Sequence, residues 1–114
     1  MSNRSHEKVI IIGAGAAGLT AGIYTARANM SPVILAGLQP GGQMTITTDV
    51  ENYPGFAEVI QGPWLMQEMQ SQAENVGARV IYDIVTKVDA SKHPFVLTLD
   101  SGGQMTADAL IVAT

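Results

Sequence analysis

Three glycines at a fixed spacing, Gly13, Gly15 and Gly18, are the residues of this chain that most directly indicate chemistry. They follow an apolar run at residues 9–12, and a stretch of small residues comes after them. A buried strand, a glycine turn and a helix start in this order are typical of a dinucleotide-binding site. The first glycine makes the turn, the second lets backbone N–H groups approach a pyrophosphate, and the third lets the helix pack against the sheet. The alternative is a glycine turn that serves only packing.

The residues directly after the second apolar run, 33–36, narrow the type of dinucleotide. A plain NAD site carries an acidic residue there, about 20 positions after the glycines, which binds the ribose 2′-hydroxyl. This chain has Gly37 instead, its next acidic residue is Asp49, and residues 37–40 contain no arginine for a 2′-phosphate. The sequence therefore argues against a plain NAD dehydrogenase and favours a glycine-rich loop that surrounds the adenosine with backbone groups.

Composition excludes several other functions. The chain has 114 residues, 46% of them hydrophobic, so it can bury the core of one domain. It contains no cysteine, which excludes a disulfide, a thiolate metal site or a thiol redox centre within it. Its net charge is −4 and its six basic residues are scattered, so we predict no nucleic-acid partner. No apolar run approaches the ~20 residues of a membrane helix, so we predict no membrane partner and a cytoplasmic location.

Side chains suited to acid–base catalysis or metal binding are few. The two histidines, His6 and His93, stand far apart and give no metal-ligand spacing. We expect His6 to lie in a short disordered N-terminal tail and His93 to lie in a loop. We therefore predict no metal site and no catalytic residue in this chain.

Periodicity predicts the elements that position the glycines. Apolar residues at helical spacing predict helices at residues 16–29 and 63–76. Continuous apolar runs predict three buried strands, at residues 9–13, 33–36 and 109–113. The predicted fold class is α/β, a Rossmann-like fold in one domain, with a parallel sheet, right-handed crossovers and a βαβ unit.

A small antiparallel meander is predicted between about residues 79 and 106, because the apolar period changes to two. It includes a hairpin of residues 95–99 and 104–106, joined by a turn at 100–103 that contains two glycines. Residues 37–62, by contrast, show almost no helical or strand periodicity. Long segments of this kind are usually functional or disordered, and Gln43 and Asn52 give this one groups that could face a ligand. The alternative for Asn52 is a turn residue before Tyr53-Pro54.

Five segments of the chain, taken together, resemble the thioredoxin reductases of bacteria, in the pyridine nucleotide-disulfide oxidoreductase family. The resemblance is collinear over nearly the whole chain. The segments at residues 41–44, which contain Gln43, and 47–55, which contain Asn52, make it far more specific than the glycines alone. The segments are residues 11–19, 24–29, 41–44, 47–55 and 109–114. Related ferredoxin–NADP reductases share parts of the pattern.

The resemblance implies FAD as the cofactor and assigns residues to each part of it. The pyrophosphate would lie along Gly13, Gly15, Ala16 and Ala17. The adenosine ribose would lie against Ala36, Gly37 and Gln39. The pyrophosphate and ribityl chain would approach Gly41, Gly42, Gln43 and Met44. The ribityl–isoalloxazine end would contact Thr48 and Asn52, the adenine would meet the backbone of Val85, and the chain would cross the cofactor at Ala113 and Thr114.

The resemblance also implies parts that this sequence does not contain. A whole family member has a second nucleotide domain for NADPH, a Cys-x-x-Cys dithiol, and a C-terminal segment that completes the FAD domain. We therefore expect residues 1–114 to be the N-terminal part of an FAD-binding domain, inactive alone. In the whole enzyme, a homodimer, electrons would pass from NADPH through FAD to the dithiol and thioredoxin.

Two alternatives remain open. One is the FAD domain of a thioredoxin-reductase-like ferredoxin or flavodoxin–NADP reductase, which differs in the electron acceptor. The other belongs to a different class, a non-catalytic nucleotide-binding module. The length of the chain and its lack of catalytic groups favour the second of these for the chain taken by itself.

Overall fold

The computed structural model describes residues 5–37 and 49–114, which form a mixed α/β fold. Its helices are α1 (Ala16–Arg27) and α2 (Gly62–Asn75). Its strands are β1 (Ser5–Ile12), β2 (Val33–Ala36), β3 (Asp49–Val50), β4 (Ile60–Gln61), β5 (Arg79–Tyr82), β6 (Val85–Asp89), β7 (Phe95–Leu99) and β8 (Gln104–Val112). Within these ranges, neither helix is long and apolar enough to cross a membrane.

Six of the strands form one sheet, in the order β5-β2-β1-β8-β7-β6. Strands β5, β2, β1 and β8 run parallel, whereas β8, β7 and β6 pair antiparallel and form the meander. The glycine turn comes after β1, near the middle of the parallel part. The predicted α/β class, with its parallel sheet and antiparallel meander, is therefore confirmed.

Two strand assignments differ from the prediction. Residues 104–106 and 109–113 were expected in separate strands, but β8 is one strand of 9 residues that joins the meander to the parallel sheet. Strand β5 was expected in the meander, but it pairs parallel with β2. It is the edge strand of the sheet and mostly exposed, so it lacks the continuous buried apolar run that predicted β1 and β2.

The N-terminal segment also differs from the prediction. Strand β1 begins at Ser5, and residues 5–7 pair with residues 105–107 of β8. His6 therefore lies in a strand and not in a disordered tail, with its Nδ1 2.7 Å from Thr106 Oγ1. The polar residues 5–8 carry no apolar period, so pairing with β8 and not local sequence makes them a strand. His93 lies in the connection between β6 and β7, as predicted.

Apolar residues are buried on both faces of the parallel sheet. On one face, Ile11 and Ile34 pack with Leu19 of α1 and Met69 of α2. On the other face, a second cluster joins the parallel strands to the meander, and its buried members are Ile10, Val33, Leu35, Leu97, Met105 and Ala107. Burial on both faces explains the continuous apolar runs that predicted β1 and β2.

Beyond Gly37, the segment between β2 and α2 is described from residue 49 onward. There β3 and β4 form a two-stranded antiparallel ribbon, with Asp49 opposite Gln61 and Val50 opposite Ile60. The expectation that residues 37–62 lack strands is therefore wrong for this ribbon. Two residues per strand are too few to give a period, which explains why the sequence did not reveal it. Val50 is buried in the same cluster as Leu19 and Met69.

Candidate nucleotide-binding site

The parallel strands all end at one side of the sheet, which we call the carboxyl edge: the residues directly after β1, β2, β5 and β8. Ile12 lies opposite both Leu35 and Val112, and Ala36 lies opposite Tyr82, so the four strand ends are aligned. Hydrogen bonds continue the ladder by one residue, from Gly13 N to Leu35 O (3.0 Å) and from Ala113 N to Ile12 O (2.8 Å). Ligands of open parallel sheets bind at this edge.

Gly13 and Gly18 bring the turn, the helix and the sheet into close contact. Gly13 has a φ of +114°, and a Cβ there would overlap the carbonyl group of Ala113. A Cβ on Gly18 would overlap the carbonyl oxygen of Gly13. The turn and the close packing that the glycine spacing predicts are therefore both present, and only glycine fits these two positions without a shift of backbone.

The start of α1 is open to an anion. Gly15 is the N-cap residue, with φ −80° and ψ −168°, and no side chain of residues 5–37 or 49–114 caps the helix. The first turn contains no acidic residue. The backbone N–H groups of the first turn lack a helical acceptor, and the positive end of the helix dipole is not neutralised by a carboxylate. This arrangement fits a pyrophosphate, because phosphate oxygens can accept these hydrogen bonds.

The structure brings nine of the sixteen predicted site residues to the carboxyl edge or just beyond it. They are Gly13, Gly15, Ala16, Ala17, Ala36, Gly37, Val85, Ala113 and Thr114. Ala36 is the buried last residue of β2, whereas Gly37 is exposed, and a Cβ there would meet no atom of the described residues within 4 Å.

The remaining predicted site residues belong to the segment between β2 and α2. Asn52 is exposed, two residues after the buried Val50. The others lie outside the described residues: Gln39, Gly41, Gly42, Gln43, Met44 and Thr48.

Sequence reasoning missed one side chain at the carboxyl edge, Asp83, which comes directly after β5. Its Oδ2 accepts a hydrogen bond from Ser101 Oγ (2.6 Å), and its Oδ1 accepts one from Ile84 N (2.8 Å). These bonds, that from Ser101 first, hold the pKa of the Asp83 carboxyl below its ordinary value. The two side chains are 18 residues apart, so no local pattern in the sequence indicates their contact.

The described residues include no group of three or more histidine, aspartate or glutamate side chains placed to hold a metal ion. Within the ranges that the structure describes, the carboxyl edge consists mainly of glycines, alanines and backbone groups, with the carboxylate of Asp83 beside them. Backbone groups arranged in this way can bind and orient a ligand.

Comparison with known proteins assigns the chain to a family. The profile of the family described as pyridine nucleotide-disulphide oxidoreductase matches residues 7–114. The chain belongs to this family. Membership in this family implies a flavin and a pyridine nucleotide as cofactors.

Individual members of the pyridine nucleotide-disulphide oxidoreductase family are closely similar to this chain. A thioredoxin reductase of Rickettsia felis is 59% identical over 107 residues, which cover 94% of the chain and 34% of the relative. A thioredoxin reductase of Vibrio cholerae is 50% identical over 114 residues, 100% of the chain and 36% of the relative. The solved thioredoxin reductase from Giardia duodenalis superposes with a TM-score of 0.91 at 45% identity, covering 96% of the chain and 36% of that structure. The chain thus spans about a third of the length of the relatives it matches.

Proposed function

We propose that this chain binds FAD along its carboxyl edge and is the FAD-binding part of a thioredoxin reductase. The observation that carries the proposal is the uncapped N-terminus of α1, held against the sheet by a Gly13–Gly18 contact that leaves no room for a Cβ. The similar proteins from Rickettsia felis and Vibrio cholerae, which are thioredoxin reductases, support the choice of enzyme.

The proposed orientation of FAD is based on the strand order. The pyrophosphate lies at the N–H groups of Gly15, Ala16 and Ala17, between the ends of β1 and β8 and the start of α1. The adenosine extends over the end of β2. There Gly37 presents backbone groups to the ribose, in place of the carboxylate found in a plain NAD site. The adenine then reaches the residues after β5, including Val85.

The flavin end lies in the opposite direction, toward β8 and the segment before α2. Ala113 and Thr114 pass beneath it, and the amide of Asn52, which both donates and accepts hydrogen bonds, suits its polar edge. The same proposal assigns further contacts to Gln39, Gly41, Gly42, Gln43, Met44 and Thr48.

The chain contributes binding, orientation and exclusion of water, and FAD, when bound, supplies the two-electron chemistry that links NADPH to a dithiol and thioredoxin. Because the chain contains no cysteine, the dithiol would come from outside these 114 residues, and the proposal assigns the NADPH site there as well. The proposal includes a cytoplasmic homodimer in the whole enzyme, and sedimentation velocity of that enzyme would test the dimer.

The variant Gly15→Val tests the proposal. The φ and ψ of Gly15 are open to any residue, so the variant should fold, but its side chain would cover the N–H groups that meet the pyrophosphate. We expect FAD to bind at least about 100-fold more weakly, as measured by quenching of flavin fluorescence. The reason is that several charge-assisted hydrogen bonds to the pyrophosphate would be lost.

The matched control is Ala28→Val, which puts the same side chain at the exposed C-cap of the same helix. This control should bind FAD as the unmodified protein does. If Gly15→Val also binds FAD unchanged, the glycine turn is not the pyrophosphate site and the proposal fails.

A further inference from the structure

We infer that Asp83 is a positioning residue that fixes the adenine-binding end of the proposed FAD site, by tying residues 83–85 to the β7–β8 turn. The inference rests on the proposed function, because it assigns a role within the site that FAD would occupy. It concerns a side chain that makes its contacts within the protein and acts through the backbone of Ile84 and Val85.

The contacts of Asp83 join two segments that are distant in sequence. Its carboxylate accepts hydrogen bonds from Ser101 Oγ (2.6 Å), Ser101 N (3.3 Å) and Ile84 N (2.8 Å). A backbone hydrogen bond from Asp100 N to Ile84 O (2.8 Å) runs beside them. The turn that joins β7 to β8 therefore holds the connection between β5 and β6 at two points, the Asp83 carboxylate and the Ile84 carbonyl.

The position of this connection places it at the adenine end. Tyr82, the last residue of β5, lies opposite Ala36, the last residue of β2. In sheets with this strand order, the ribose binds at the end of the second strand and the pyrophosphate at the glycine turn. A nucleotide that runs from α1 across Gly37 therefore ends above the residues directly after Tyr82.

Val85 needs such a constraint because the strand pairing around it is irregular. Val85 lies opposite Leu99, but the register shifts between Val85 and Lys87. At a shift of this kind the ladder alone does not fix the direction of backbone N–H and C=O groups. The hydrogen bonds of Asp83 supply a second constraint two residues earlier, so the groups proposed to recognise the adenine are held in place before the ligand binds.

Asp89 provides a matched comparison at the other end of β6. Its Oδ1 accepts hydrogen bonds from Ser91 Oγ (2.6 Å) and Ser91 N (3.0 Å), so it also pairs with a serine through side chain and backbone. As with Asp83, the hydrogen bond from serine holds the pKa of the carboxyl below its ordinary value. Asp89, however, is the last residue of β6, at the end of the strand that leads toward β7 and not at Val85.

The test measures binding of ADP and of IDP, in which the adenine amino group is replaced by a carbonyl. Backbone groups held in place should distinguish these two bases, so the unmodified protein should prefer ADP. We expect Asp83→Ala to bind ADP about tenfold more weakly, because one hydrogen bond to the adenine would be misplaced. Most of the preference for ADP over IDP should also disappear. Asp83→Asn, which keeps an oxygen acceptor, should restore both, and Asp89→Ala should change neither.

A purely structural role for Asp83 would lower stability without changing the ADP-to-IDP ratio. That result, with binding by the unmodified protein intact, would overturn the inference and leave the proposed function standing. If the unmodified protein binds neither ADP nor FAD, the proposed function fails and this inference fails with it. If Asp83→Ala does not fold, Ser101→Ala replaces it, and an unchanged ADP-to-IDP ratio in that variant would equally overturn the inference.

Discussion

The two ends of the parallel strands are built in opposite ways. Small residues such as Gly13, Gly15, Gly37 and Ala113 predominate at the carboxyl edge, and they present backbone groups directly. At the other end, which we call the amino edge, long polar side chains at the starts of the strands pair with one another. Arg79 Nη2 lies 2.6 Å from Glu7 Oε1 and donates a hydrogen bond to Ser31 O at 2.5 Å.

His6 extends the same pattern along β1 and β8. Its Nδ1 lies 2.7 Å from Thr106 Oγ1, and its Nε2 lies 3.1 Å from Asp108 Oδ1. These side chains of the amino edge are therefore paired within the protein, whereas no side chain in the described part of the chain caps the helix N-terminus at the carboxyl edge. Small residues at one end of a sheet can therefore serve binding, because they leave backbone N–H donors free to form hydrogen bonds with a ligand.

The largest effect should come from adding a methyl group where the carboxyl edge is tightest. Gly18→Ala places a Cβ onto the carbonyl oxygen of Gly13, so the backbone of the turn or the helix must move. We expect a loss of about 3 kcal/mol in the free energy of unfolding, measured with urea, because overpacking against backbone cannot relax by a rotamer change. FAD binding should weaken as well, since the turn that meets the pyrophosphate is displaced.

Gly22→Ala is the matched control, one helical turn further along α1. Its Cβ would lie 2.5 Å from Ile34 Cδ1, the far end of a side chain that can rotate away. The gain of about 1 kcal/mol in helix propensity from glycine to alanine offsets part of the remaining crowding. We therefore expect Gly22→Ala to stay within about 1 kcal/mol of the unmodified protein. If both variants were equally stable, the close contact between Gly13 and Gly18 would not be what constrains the turn.

The glycine turn could be predicted from sequence because strand, turn and helix are consecutive and each glycine has its own steric reason. The continuous apolar runs likewise predicted β1 and β2, since both faces of the parallel sheet are buried. Features that depend on contacts between distant segments could not be predicted. Asp83 contacts Ser101 only once the β7–β8 hairpin has packed beside the end of β5. Residues 5–8 become a strand only by pairing with β8.

The smallest effect should come from the amino edge. Glu7→Gln removes one charge of the ion pair with Arg79, whose side chain is 45% exposed, whereas that of Glu7 is 15% exposed. Solvent screening at the exposed guanidinium limits the pair, so we expect a loss of about 0.5 kcal/mol in the free energy of unfolding, smaller still in high salt. The affinity for FAD should not change, because this edge is at the far end of the strands. A loss of FAD affinity as large as that in Gly15→Val would remove the distinction between the two edges.

The most direct test of the account is the visible absorption spectrum of the purified 114-residue protein after incubation with FAD and removal of free ligand, with the released cofactor identified by mass. We expect flavin absorption bands and the mass of FAD, because the carboxyl edge offers hydrogen-bond donors to the pyrophosphate. A folded protein that stays colourless at saturating FAD would contradict the claim that these backbone groups form a nucleotide site.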